Sequence, residues 1–110
     1  MLNPGDVVLL DFPGVQGVKL RPGVVVSSAA YHLVRPDVIV ALCTSNLASA
    51  MAPTDYALQD WAAAGLRVPT AFRSFFVTLP AGDIRRVIGK LTAADWAEVQ
   101  ARLRIALAVT

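Results

Sequence analysis

Short apolar runs, separated by glycine, proline or charged residues, dominate the pattern of this chain. Segments rich in valine, isoleucine, leucine and phenylalanine lie at 7–12, 21–28, 37–42, 68–72, 75–79 and 84–91. Apolar segments of this length between turn-forming residues are typical of β-strands. The pattern therefore predicts a mainly β protein of five or six short strands, with a long loop over residues 45–56.

Turn-forming residues mark the segments between these runs. Pro13 and Gly14 are expected to end the first strand, so that residues 13–20 form a loop leading into the second strand. Residues 29–36 are expected to be a plain connection. Residues 58–64 predict a short helix in a loop, closed by Gly65, because glycine readily adopts the conformation that ends helices.

A helical period replaces the strand pattern near the C-terminal end. Apolar residues recur there at the spacing of one helix face: Trp96, Val99, Leu103 and Leu107. Thr92 is a typical N-cap residue, and Asp95 is favoured near the positive end of a helix. The sequence therefore predicts a C-terminal helix packed on a small barrel of strands.

The second and third predicted strands can be placed against each other. If they are antiparallel neighbours, Ser28 lies near Asp37, and the same register places Arg21 opposite Thr44. Directly paired residues share a sheet face. The pairing predicts that a guanidinium and a hydroxyl meet at one end of the sheet.

The composition adds the expectation of a partner. Of the 110 residues, 55% are apolar and 16% are charged, against about a quarter charged in average proteins. A chain of this length is expected to form one domain over residues 1–110, too small to bury so much apolar surface. We therefore expect an apolar patch that a second copy of the chain covers.

Charge and cysteine content exclude few function classes. The net charge of +2 and the pI near 9.1 do not by themselves indicate a nucleic-acid partner. A single cysteine provides no disulfide framework, so a reducing compartment is expected. No apolar run approaches the ~18 residues of a membrane span, and residues 1–5 lack the positive start of a signal peptide. We expect a cytoplasmic protein.

A metal-dependent site is poorly supported. One histidine, one cysteine and no closely spaced carboxylate cluster do not fit a zinc site or a two-metal nuclease, so no cofactor is expected. His32 is expected in a surface connection, and Cys43 as a small buried apolar residue. Three basic residues are expected on a solvated strand face: Arg85, Arg86 and Lys90.

Several motifs occur in an order that resembles the MazF/PemK family of toxins. They include Gly5-Asp-Val-Val-Leu-Leu-Asp-Phe-Pro13, Arg21-Pro22 with a valine run to Ser27, Thr44-Ser-Asn46, Asp60-Trp-x-Ala-Ala-Gly-Leu66 and Ile88-Gly-Lys-Leu-Thr92. The resemblance covers nearly the whole chain. It implies an SH3-like small β-barrel, a homodimer, and the toxin half of a type II toxin–antitoxin pair. Such toxins typically cleave single-stranded RNA without a metal.

The resemblance also implies roles for individual residues. RNA supplies its own nucleophile, the 2′-hydroxyl, so such an enzyme needs proton transfer and donors aimed at the phosphorane. Arg21 and Thr44 fall at the family's arginine–threonine pair and are the predicted catalytic residues. The predicted RNA-binding residues are Lys19, Ser45, Arg73 and Gln16. The implied partner, besides RNA, is a cognate antitoxin with an acidic, partly disordered tail.

Two departures from the family pattern keep another interpretation open. Relatives that use the arginine matched by Arg73 carry an acidic residue two positions later, where this chain has Phe75. Lys19 is the single basic residue of the segment at 13–20. The alternative is a degenerate, non-catalytic toxin that binds an antitoxin. A gyrase poison of the CcdB type fits less well, because the family analogy requires an aromatic C-terminus and this chain ends with Thr110.

Overall fold

The apolar runs form strands of one sheet, and the computed structural model describes residues 1–14 and 17–109. The strands are β1 (Asp6–Gly14), β2 (Gly17–Val25), β3 (Asp37–Thr44), β4 (Tyr56–Ala57), β5 (Ala71–Pro80) and β6 (Ile84–Lys90). The helices are α1 (Ala29–Val34) and α2 (Ala93–Leu107), and single 3-10 turns lie at Leu47–Ser49 and Ala81–Asp83.

The sheet is antiparallel throughout, in the order β4-β5-β3-β2-β1-β6. Its edge strands, β4 and β6, are not paired with each other in the described chain, so the sheet stays open. This arrangement is compatible with the predicted SH3-like barrel. The predicted mainly β architecture with a C-terminal helix is confirmed.

Alternation of side chains divides the core between the two faces of the sheet. Val7, Val24 and Ala41 are paired neighbours on one face, where α2 packs. Val25 and Val40 are paired neighbours on the other face. All five are fully buried. A slip by one residue would turn the side chains of the shifted strand to the wrong face, so burial of the valine run excludes it.

The register between β2 and β3 is the one that the sequence predicts. Gly23 pairs with Leu42, and Val25 pairs with Val40. Continuing this register past Gly23 places Arg21 opposite Thr44. The described ladder ends at Gly23 and Leu42, so the two predicted catalytic residues lie immediately beyond it.

The predicted loop at residues 13–20 is wrong, because β1 and β2 form a long hairpin that reaches Gly14 and Gly17. Pro13 sits opposite Val18 in this hairpin. In the described sheet, residues 11–14 and 17–20 pair only with each other, and proline is tolerated on strands with such an open edge. Lys19, opposite Phe12, therefore lies on a strand rather than a loop.

Helices and strands differ from expectation in the second half of the chain as well. The pieces predicted at 68–72 and 75–79 form one strand, β5, which is irregular where Leu42 stands opposite residues 73–75. Residues 58–64 form turns and no helix. The short helix is α1, in the segment expected as a connection, because the Ser28 hydroxyl accepts the Tyr31 N–H at 3.1 Å and caps it.

The helix α2 begins at its predicted cap, Thr92. Val99 is fully buried, and Trp96 and Leu103 pack against the same cluster. Leu107, predicted on the apolar face, is 53% exposed, since it is the last residue of the helix. Within the described ranges, no helix is long and apolar enough to span a membrane.

Candidate functional site

A groove opens where β2 and β3 stop pairing. It is lined by the ends of these two strands, by the loop at residues 65–70 and by one side of β6. Its volume of about 650 Å³ lies within the range of about 300–1,000 Å³ that is usual for ligand pockets. The groove, so defined, contains both predicted catalytic residues.

The first wall of the groove carries Arg21 and Thr44. Arg21 is half-buried near the end of the β2–β3 ladder, and Thr44 is the last residue of β3. The Thr44 hydroxyl oxygen accepts the Asn46 N–H at 3.0 Å. A hydroxyl that accepts through one lone pair keeps its proton for a second partner. Lys19 and Ser45 line the groove beside this pair.

The second wall is set by a backbone contact between two glycines and their neighbours. Gly65 has φ +90°, and a Cβ on it would lie 2.1 Å from the Ile88 carbonyl oxygen. A Cβ on Gly89 would lie 2.1 Å from the Ala64 carbonyl oxygen. Because glycine has no side chain at either position, the loop can lie directly on the backbone of β6.

Positive charge is concentrated in this groove. Of the ten lysines and arginines in the chain, four line it: Lys19, Arg21, Arg67 and Arg86. None of the described lining residues is acidic. The ion pairs found among the described residues use other arginines, at Arg35, Arg85 and Arg102. The groove therefore suits an anionic ligand that carries more than one charge.

The floor of the groove is apolar and uncharged. Burial raises the pKa of the Cys43 thiol to about 12, so at neutral pH the thiol is protonated and a poor nucleophile. Leu9 and Pro22, which pair across β1 and β2, and Leu66 add apolar surface. An apolar floor between cationic walls suits a ligand that combines phosphate groups with flat rings.

Arg73 does not line this groove. It lies at the irregularity of β5, and its Nε is buried without a hydrogen-bond partner among the described residues. The neighbouring Ser74 hydroxyl donates to the Thr54 carbonyl oxygen at 2.7 Å. Phe75 packs edge-on against Phe12, with ring centroids 5.9 Å apart. The position that is acidic in some relatives therefore has a packing contact in this chain.

Arg86 has a position that the sequence did not reveal. Arg85, Arg86 and Lys90 are exposed residues of β6, as expected, but Arg86 also pairs with Leu9 and lines the groove. Arg85 points elsewhere, with its guanidinium 3.7 Å from the Asp11 carboxylate. Arg85 is the residue skipped at an irregularity of the β1–β6 pairing, between Arg86 opposite Leu9 and Ile84 opposite Leu10, and the two neighbouring arginines line different surfaces.

Arg67 gives only a weak signal in the sequence: a single charge between apolar residues, shortly after the turn glycine Gly65. The docking of its loop on β6 is what brings it to the groove. Of the predicted RNA contacts, Lys19 and Ser45 line the groove, and Gln16 lies outside the described residues. Residues from widely separated parts of the chain thus meet in one site.

His32 has a structural role elsewhere, which corrects the expected surface connection. Its Nδ1 lies 2.9 Å from the Leu2 carbonyl oxygen, and its Nε2 lies 2.6 Å from the Ser27 hydroxyl. The Ser27 oxygen also accepts the Ile39 N–H at 3.0 Å. These contacts are satisfied when His32 carries its proton on Nδ1 and accepts from Ser27. In the described chain, no three metal-ligating side chains group closely enough to hold an ion.

Several solved structures share this fold. An endoribonuclease in complex with its cognate antitoxin, from a mycobacterial species, has a TM-score of 0.82 at 21% identity, covering 100% of this chain and 98% of that one. The Mycobacterium tuberculosis toxin MazF-mt6 has a TM-score of 0.76 at 20% identity, covering 96% of this chain and 98% of that one. MazE–MazF from Deinococcus radiodurans has a TM-score of 0.77 at 23% identity, covering 99% of this chain and 98% of that one. At these identities the likeness shows the fold.

Sequence comparison identifies the family. A search of curated proteins finds no match. The family model of the PemK-like, MazF-like toxin of type II toxin–antitoxin systems matches residues 3–107, a span that contains every strand and both helices described above. The chain therefore belongs to the PemK/MazF-like toxins of type II toxin–antitoxin systems.

Proposed function

We propose that this protein is a toxin endoribonuclease that cleaves single-stranded RNA through the 2′-hydroxyl of the RNA, without a metal ion. The observation that carries the proposal is that Arg21 and Thr44 share one wall of a cationic groove. Membership of the toxin family supports it. A single strand fits best, because its unpaired bases can pack on the apolar floor while the cations hold its phosphates.

In the proposed reaction, the scissile phosphate lies against Arg21 and Thr44. The 2′-oxygen attacks phosphorus, the bond to the 5′-oxygen breaks, and the products end in a 2′,3′-cyclic phosphate and a 5′-hydroxyl. The Arg21 guanidinium stabilises the charge of the phosphorane and donates a hydrogen bond to the leaving 5′-oxygen while remaining protonated. The proton of the 2′-hydroxyl passes to water, and the 5′-oxygen takes up one proton from water, so that no net proton is lost or gained. Thr44 donates its hydroxyl proton to a non-bridging oxygen.

Neighbouring polar residues extend the proposed contact with RNA. Lys19 and Ser45 lie beside the catalytic pair in the groove and can reach the flanking nucleotides. We assign Arg73, which matches the second arginine used by some members of the family, to RNA that runs on past the groove; its buried Nε leaves the terminal guanidinium nitrogens for this contact. Phosphate contacts of this kind position a strand and do not read its sequence.

The proposed partners are a cognate antitoxin and a second copy of the chain, in the cytoplasm. The structural neighbours include an endoribonuclease solved with its cognate antitoxin and a MazE–MazF structure, and an acidic tail would be attracted to the same cations as RNA. Apolar side chains left exposed, such as Leu33 at 75% and Val34 at 77%, support a homodimer. Light scattering should give about twice the chain mass of 11.7 kDa; the mass of one chain contradicts the dimer.

Cleavage of single-stranded RNA in EDTA tests the proposal. We expect cleaved RNA whose upstream fragment ends in a 2′,3′-cyclic phosphate. Removing a donor to the transition state costs about 100-fold or more, so Arg21→Gln and Thr44→Val should each lower the rate strongly. Arg104→Gln, an exposed arginine of α2, is the matched control and should cleave like the unmodified protein. Loss of all cleavage in EDTA would contradict the metal-free mechanism.

Growth on expression separates the enzyme from a non-catalytic toxin, the alternative that Phe75 keeps in view. An enzyme should arrest growth, and Arg21→Gln should relieve the arrest. Equal toxicity of the two forms would show that Arg21 is not catalytic. A harmless unmodified protein that still binds an antitoxin would favour the degenerate toxin.

A further inference from the structure

The wall opposite Arg21 and Thr44 has its own pair of cations, and strand pairing places one of them. Arg86 of β6 pairs with Leu9 of β1, and Leu9 pairs with Pro22 of β2. These three residues form one row across three strands, and Arg21, the neighbour of Pro22 along β2, belongs to the next row, opposite Leu10. Because neighbouring strands lie about 4.8 Å apart, Arg86 stands roughly 10 Å from β2. The groove is therefore wider than a single phosphate needs.

The glycine contact places the second cation of this wall. Gly65 touches the Ile88 carbonyl, and its loop continues to Arg67, just as β6 leads from Ile88 back to Arg86. Each arginine is thus two residues from the point where the two backbones meet. Both line the groove. The backbone contact therefore holds the two segments that carry these arginines against each other on the same side of the groove.

The surroundings of these two arginines favour an anion. In the described chain, neither forms an ion pair, and no acidic residue lines the groove. Like charges fixed on one wall repel each other, and an anion between them removes that repulsion. Guanidinium groups bind phosphate through paired hydrogen bonds. Phosphate is therefore the ligand group that this wall fits best.

We propose that Arg67 and Arg86 form a second phosphate-binding subsite, which holds the RNA linkage next to the scissile one. This inference rests on the proposed function. With phosphates held on both walls, the intervening nucleotide lies over the floor made by Leu9, Pro22 and Cys43. Arg67 and Arg86 then act as positioning residues: they fix which linkage lies against Arg21, and they require a substrate with at least two linkages.

Binding of a modified RNA tests the subsite. The RNA contains the mapped cleavage site, blocked by a 2′-O-methyl group, and one flanking linkage at a time carries an uncharged methylphosphonate. Anisotropy gives the affinity of the unmodified protein, Arg67→Gln, Arg86→Gln and Arg85→Gln for each RNA. Arg85 is the matched control, as it is adjacent to Arg86 and reaches Asp11 instead of the groove.

If the subsite exists, the loss of RNA affinity caused by an arginine variant and the loss caused by the methylphosphonate should not add. Each of Arg67→Gln and Arg86→Gln should weaken binding by about three- to tenfold, the scale of one charged hydrogen bond in a partly exposed site. Neutralising one particular flanking linkage should weaken RNA binding by the unmodified protein to a similar extent. It should have little further effect on binding by the two variants. The slope of the logarithm of affinity against the logarithm of salt concentration should also become less steep by about 0.7 per lost phosphate contact. Arg85→Gln should keep the full effect of the methylphosphonate.

Three results would overturn the subsite, and each is distinguishable from failure of the proposed function. The first is additive losses from the variants and the methylphosphonate. The second is unchanged affinity and salt dependence in folded variants while the unmodified protein cleaves RNA. The third is weaker binding of an acidic antitoxin peptide alone, with RNA binding intact. If Arg86→Gln does not fold, Arg67→Gln decides, because Arg67 is exposed in a loop. An unmodified protein that neither cleaves nor binds RNA overturns the proposed function and the subsite together.

Discussion

Tyr56 donates its phenolic O–H to the carboxylate of Asp95 at 2.6 Å, and this bond joins β4 to the first turn of α2. The same fully buried carboxylate accepts the backbone N–H groups of Gln59 at 3.1 Å and Asp60 at 2.8 Å. Thr92, the cap of α2, donates to Asp60. One carboxylate therefore ties the helix to the segment that leads into the second wall of the groove.

Asp95→Asn should destabilise the fold. An asparagine offers one acceptor oxygen where the carboxylate offers two, and its NH₂ would face backbone donors. Buried hydrogen bonds to a charged group are worth about 1.5–3 kcal/mol each, so we expect the free energy of unfolding to fall by about 2–4 kcal/mol. Urea unfolding measures it. Glu98→Gln, an exposed residue paired with Arg102 on the same helix, should change it by less than about 0.5 kcal/mol; an equal loss in both variants would contradict the role of Asp95.

Tyr56 should make part of the stability depend on pH. Burial, and then the hydrogen bond to Asp95 and its charge, raise the pKa of Tyr56 above the value of about 10 in an unfolded chain. Because the folded pKa is the higher one, this contribution is fully present below pH ~10 and is lost as the pH rises above that value. The difference in unfolding free energy between the unmodified protein and Tyr56→Phe should therefore shrink between pH ~9 and ~11. A constant difference would contradict this account.

Gly89→Ala should disturb the second wall, whereas Gly82→Ala should not. A Cβ at Gly89 would lie 2.1 Å from a carbonyl oxygen, and one at Gly82 meets nothing within 4 Å. Overpacking of this kind costs about 1–3 kcal/mol. We expect Gly89→Ala to lower both thermal stability and RNA affinity, since the loop carrying Arg67 must move. If the two variants melt together and bind RNA equally, the glycine contact does not shape the groove.

Cys43 should be unreactive in the folded protein. Burial both hides the thiol and raises its pKa to about 12, which leaves very little thiolate at pH 8. Treatment with a thiol reagent such as iodoacetamide should label the protein only after denaturation, as read by mass spectrometry. Rapid labelling under native conditions would show that the groove floor opens to solvent.

The sequence predicts the first wall well because local rules determine it. The valine run of β2 excludes a slip by one residue against β3, since such a slip would turn the core valines to the wrong face. That register, with the family resemblance, is sufficient to bring Arg21 towards Thr44. The helix α2 was predictable for a similar reason. Its cap, Thr92, is a residue type that commonly begins helices, and Val99, which is buried, belongs to a set of apolar residues at helical spacing.

The second wall could not be predicted, because it depends on contacts between distant segments. Nothing near Gly65 in the sequence shows that its backbone packs against the carbonyl group of Ile88. Likewise, Asp95 looks like an ordinary acidic residue of a first helical turn, and its buried role appears only when β4 packs against α2. Phe75 was interpreted by family position alone; its packing on Phe12 follows from the irregular pairing of β5.

The attack of the RNA 2′-hydroxyl under Arg21 and Thr44 is the central claim, and one substrate tests it most directly. The substrate is an RNA with a single 2′-deoxy nucleotide at the mapped cleavage site, incubated with the unmodified protein in EDTA beside the all-RNA strand. We predict that the all-RNA strand is cut to a 2′,3′-cyclic phosphate and that the bond after the deoxynucleotide stays intact. Cleavage of that bond at a comparable rate would contradict the mechanism.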